Sequence, residues 1–140
     1  MLAALLLHTG LQAQSASIFH QQGTALHGYD VVAFFTDSTA VAGKTEHHYE
    51  WQGVTWLFAS KAHRDAFAAD PVHYAPQYGG FCAYGTAGGY KAPTQIETWT
   101  IVDGKLYFNY NAKVKALWSK DIPGLVNKAD LNWQKIKDKE

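Results

Sequence analysis

The chain has 140 residues, 47% hydrophobic and 17% charged, enough to bury one core and too few for two ordinary domains. Twelve basic residues balance twelve acidic ones, so no global field draws the protein to nucleic acid or to an anionic membrane. A single cysteine excludes a disulfide within the chain, and the fold must hold by packing.

Residues 1–13 form a short apolar run followed by small and polar residues, with no Lys or Arg before it. The pattern resembles the end of a secretory signal, with a leader over residues 1–16 and cleavage after Ala13 or Ala16. The run is too short to span a bilayer and no cysteine follows it to carry a lipid, so no membrane span is expected. An exported protein, periplasmic or secreted, is the expectation.

The next segment, Ala25 to Phe35, is nearly continuous apolar sequence and reads as a buried strand, or a turn plus a strand. Thr45 to Trp51 and Val54 to Phe58 are rich in aromatic and β-branched residues and are joined by Gln52-Gly53, which predicts a hairpin. Ser60 is a good N-cap for a helix from Lys61 to Ala69, which Asp70-Pro71 ends. A second hairpin is predicted where Thr98 to Val102 and Lys105 to Asn109 flank Asp103-Gly104, because a type I′ turn needs positive φ at both central residues. Asn111 caps a helix reaching about Lys120, with Val114, Leu117 and Trp118 on one face and Pro123 stopping it. The last helix runs from about Leu125 to Lys137, and Val126, Ala129, Trp133 and Ile136 make its buried stripe. Seven lysines near the C-terminus, set among four acidic residues, form a solvated face. The expected fold is a single small α+β domain over residues 24–137, with two β-hairpins and about three helices.

Chemistry concentrates on Cys82, which lies in the stretch Tyr78 to Gly85 among aromatic rings and the glycines 79, 80 and 85. It is a buried hydrophobe, a reactive thiol, half of an intermolecular disulfide, or a metal ligand. No Cys-x-x-Cys motif supports thioredoxin-type exchange. Six histidines follow the leader: His20, His27, His47, His48, His63 and His73. His47 and His48 are adjacent in a predicted strand, so in a regular strand at most one belongs to any site. His63 falls near the buried stripe of its helix, His27 precedes the first apolar segment, and His73 leads toward Cys82. The tryptophans and strand aromatics read as core, and a ring-lined ligand pocket is a second reading near Tyr78, Phe81 and Tyr84.

The motifs Gly28 to Phe35, Tyr49 to Ser60, and Phe67 to Tyr74 together resemble the YHS domain family. Ala75 to Tyr84 and Asp103 to Asn111 look like its exported, single-domain branch, and the resemblance covers about Ala25 to Trp133. Many YHS domains are small metal-binding modules found beside heavy-metal transport proteins. Their ligand cysteines match Ala33, Ala59 and His63 here, so the resemblance carries over no thiolate site. A rebuilt site would use Cys82 with His63, His73 or His27, and its donors would suit copper or zinc. The expected function is a binding module without turnover whose partner is a metal ion or another protein. The alternatives are a thiol-dependent redox or sensor protein using Cys82, and a protein-interaction scaffold that has lost metal binding.

Overall fold

The computed structural model describes residues 15–140, so the signal-like stretch lies outside the described residues except for Ser15 and Ala16. The strands are β1 (His20–Gln21), β2 (Thr24–Ala25), β3 (Lys44–Trp51), β4 (Val54–Phe58), β5 (Thr100–Val102) and β6 (Lys105–Tyr107). The helices are α1 (Val31–Thr36), α2 (Lys61–Ala69), α3 (Pro71–Tyr74), α4 (Ala83–Ala87), α5 (Ala112–Trp118) and α6 (Ile122–Ile136). One sheet has the order β1-β2-β4-β3, with β2 and β4 parallel and its other pairs antiparallel; β5 and β6 form a second, two-stranded sheet. This is a small α+β domain with both expected hairpins. No helix among the described residues is long and apolar enough to cross a membrane.

Both hairpin turns have the backbone that their sequences predict. Gln52 and Gly53 have φ of 54° and 74°, and Asp103 and Gly104 have 52° and 73°. Along β4 the burial alternates, so Val54, Trp56 and Phe58 face the core while Thr55 and Leu57 do not. The ring of Phe67, from α2, packs there with centroids 5.0 Å from Trp56, 5.2 Å from Phe58 and 5.7 Å from Trp51. Each such fully buried ring stabilises the fold by roughly 2–3 kcal/mol.

The second hairpin divides the interior in two. Leu106 and Phe108 join the core built on β4, while Tyr107 faces a second cluster with Tyr78, Ala83, Trp118 and Ala129. That second cluster is roofed by α6, whose Ala129 and Ile136 are buried as its stripe predicts. On α5, Trp118 is buried but Leu117 is exposed, which narrows the apolar face expected there.

Three elements differ from expectation. Val31 to Thr36 is a helix, not a strand: Asp30 caps it by accepting from the Val32 and Ala33 N–H groups at 2.9 and 3.2 Å. Pro123 lies in the first turn of α6, where its missing N–H costs nothing, so that helix starts at Ile122. Pro71 likewise opens α3. In β3 the register shifts between Lys44 and His48, and from His47 on the burial alternates, with His47 half-buried and His48 exposed, as expected for neighbours on opposite faces.

Lys91 joins the two ends of the described chain. Its ammonium donates to the carbonyls of Ala16, Lys137 and Lys139 at 2.7, 2.8 and 2.5 Å, and lies 5.1 Å from the Phe81 ring centroid. Burial pulls its pKa down, against the nearby charges of Asp138 and Glu140.

Candidate functional site

Cys82 is buried at the N-cap of α4, where β6 and the chain after it run alongside. Its backbone forms a bridge with Phe108, and the Ala83 N–H donates to the Phe108 carbonyl at 2.9 Å. The sulfur accepts from the Gly85 N–H at 3.4 Å and the Tyr110 N–H at 3.3 Å. Its own S–H donates to Asn109 Oδ1 at 3.5 Å, and that oxygen also accepts from the Tyr84 N–H at 3.1 Å. The buried thiol therefore has polar neighbours on several sides. Asn109 is fully buried, and its Nδ2 has no hydrogen-bond partner among the described residues. Sequence reasoning overlooked Asn109, although a lone amide in the run Leu106 to Tyr110 was the available signal.

Above the sulfur opens a cleft of about 280 Å³, lined by Tyr84, Tyr90, Ala92, Tyr110 and Val114 with Cys82. Tyr90 and Tyr110 are 56% and 49% exposed, so their rings form a rim that a ligand can reach. Tight packing at Gly85 and Gly88 supports this wall: a methyl group at either would press on the Tyr90 ring. Of the three rings expected to line a pocket, only Tyr84 does so here. Phe81 packs against Trp133 instead, with centroids 6.2 Å apart, and Tyr78 lines a different cleft.

The histidines proposed to complete a metal site are occupied elsewhere. His63 Nδ1 donates to the fully buried carboxylate of Asp30 at 2.6 Å, and its Nε2 lies 3.3 Å from the Thr36 hydroxyl. His27, at φ 55°, donates from Nε2 to the Thr94 carbonyl at 2.8 Å, which removes that nitrogen from ligation. His73 is exposed and packs beside Phe35 and Tyr74, with ring centroids 5.5 and 4.6 Å away. Among the described residues no group of three or more His, Cys, Asp and Glu side chains is placed to hold a metal ion. Among the described residues the expected set of Cys82, His63, His73 and His27 does not come together as a group of three or more donors.

A second cleft, of about 470 Å³, lies between the turn joining β3 and β4, the segment from Val72 to Gly79, and α6. Here the Tyr78 hydroxyl donates to Asp130 Oδ1 at 2.9 Å. Tyr78 has φ 56°, a rare backbone for a residue with a side chain. Burial first, and then the bond to and charge of Asp130, push its pKa far above the usual tyrosine range; burial raises Tyr107 as well. A raised folded-state pKa leaves stability intact below the unfolded value near 10 and erodes it above, because the unfolded chain releases the proton that the folded one keeps. The urea midpoint is expected to fall between about pH 9 and about pH 11, and to fall less steeply in Tyr78→Phe. Equal slopes in the two proteins would contradict this role of Tyr78.

Comparison with protein-family models, with curated proteins and with solved structures found no match for the chain.

Proposed function

We propose that the protein is a small exported binding module of the YHS type, periplasmic or secreted, which holds a small, flat apolar molecule in the tyrosine cleft over Cys82 without turning it over. The motif resemblance over about Ala25 to Trp133 supports the family, and the apolar run at the start supports export. The observation that carries the ligand is the convergence of three tyrosine rings and one sulfur, drawn from α4 and its N-cap, the loop after it and the segment before α5, on one reachable cleft. The sulfur serves as a polarizable floor, fixed by two backbone N–H donors. A thiol-dependent redox or sensor role is the second reading, favoured by the place of Cys82 on the lining of a cleft that a small molecule can enter.

Calorimetric titration with 2-naphthol tests the first reading. Binding at a Kd of about 1 mM or tighter is expected, weakened roughly tenfold in Tyr110→Ala, a substitution at a half-exposed residue that leaves the core intact. Absence of binding, or equal binding by the variant, would show that the cleft is not a site for such a ligand.

A further inference from the structure

The larger cleft has a different chemistry from the tyrosine cleft and no part in its proposed role. Its walls carry two indoles, Trp51 and Trp133, and the planar amides of Gln52, Gln77 and Gln134. Among the described residues the charged side chains on its lining are Asp130 and Lys137, of opposite sign, so these side chains give no net preference for an anion or a cation. One oxygen of Asp130 is held by the Tyr78 hydroxyl, which orients the carboxylate and leaves its second oxygen to accept from a ligand.

We propose that this cleft binds a neutral saccharide. A sugar ring presents two kinds of surface, a face of weakly positive C–H groups and an edge of neighbouring hydroxyls. The C–H face suits the negative face of an indole. The hydroxyl edge suits amides and a carboxylate, because an amide donates and accepts at once while each hydroxyl does the same. A purely apolar ligand would leave the amides and Asp130 unpaired, and a phosphate would meet Asp130. The volume of about 470 Å³ lies within the range of small-molecule sites and suits a short oligosaccharide.

The geometry that presents these groups is built into the fold. Tyr78 and Gly79, at φ 56° and 61°, turn the chain so that the phenol reaches α6 while the Gly79 carbonyl accepts from the Phe19 N–H at 2.9 Å. Non-glycine residues in that conformation mark places where the surroundings fix the chain against its own preference.

The test is calorimetric titration of the full chain with the neutral sugars cellotriose, maltotriose and fully N-acetylated chitotriose, with tryptophan fluorescence as a second readout. At least one sugar is expected to bind with a Kd of about 1 mM or tighter and to change the emission. Gln134→Ala and Asp130→Asn, both at exposed positions on α6, are each expected to weaken binding roughly tenfold with the thermal midpoint preserved. No heat and no fluorescence change with any of the three sugars would overturn the proposal, as would binding unaffected by both variants. Binding of choline in place of the sugars would also overturn it, since a cation would then be using the rings.

Discussion

Asp30→Ala is expected to destabilise the fold by about 3–5 kcal/mol. The carboxylate is fully buried and accepts four hydrogen bonds. Oδ1 takes the Val32 and Ala33 N–H groups at 2.9 and 3.2 Å, and Oδ2 takes the Ala59 N–H and His63 Nδ1, at 2.9 and 2.6 Å. One side chain thereby fastens the start of α1 to the end of β4 and to α2. Alanine would leave these donors facing a void, and each unsatisfied buried group costs about 1–3 kcal/mol. Asp30→Asn should recover only part of the loss, because its amide nitrogen must face donors. Urea unfolding followed by circular dichroism measures both variants, and a loss below about 1 kcal/mol for alanine would show that the network is not what holds these elements.

Gly79→Ala is the second large effect, a loss above about 3 kcal/mol. A glycine is required twice at this position. Its φ of 61° disfavours a side chain by about 1 kcal/mol, and an added methyl group would overlap the carbonyl oxygen of Ser17. That carbonyl is backbone, so the clash is relieved only by displacing the segment from Ser15 to Phe19 or the turn itself. Ile18 and Phe19 are buried in this segment, and their release would open the wall of the larger cleft. Gly104 provides the control. Its φ is 73°, but nothing lies within 4 Å of an added methyl, so Gly104→Ala should cost only the backbone preference of about 1 kcal/mol. Equal losses at the two glycines would refute the steric argument.

Local signals made the hairpins and the three longer helices legible from sequence. Asp103-Gly104 and Gln52-Gly53 specify their turns by backbone conformation alone, and Ser60 and Asn111 cap their helices by accepting from the N–H three residues on. The segment from Val31 to Phe34 misled because all four residues are buried, which erases the period that separates a helix from a strand. The cap at Asp30 was the signal that would have decided it. Helix α4 was hidden by its glycine and its short length.

The candidate sites were less legible than the fold, because long-range pairing decides them. Cys82 was found from its surroundings, but the residues around its sulfur, Asn109 and Tyr110, lie 27 and 28 positions away. His63 stood out as a ligand, yet its partner Asp30 is 33 positions distant, and that bond takes one imidazole nitrogen out of reach of a metal. Tyr78, Phe81 and Tyr84 looked like one pocket because they are close in sequence. The turn at Tyr78 and Gly79 and the start of α4 send them to different surfaces.

Binding of an apolar ligand in the tyrosine cleft over Cys82, as proposed, would be visible residue by residue. The most direct measurement is the amide spectrum of the isotope-labelled protein during titration with 2-naphthol. The Gly85 and Tyr110 amides, which donate to the sulfur at the floor of the cleft, should move together with those of Tyr84, Tyr90 and Ala92, while Gln52 and Gln134 in the larger cleft stay in place. Shifts confined to the larger cleft, or no shifts at saturating probe, would contradict the assignment.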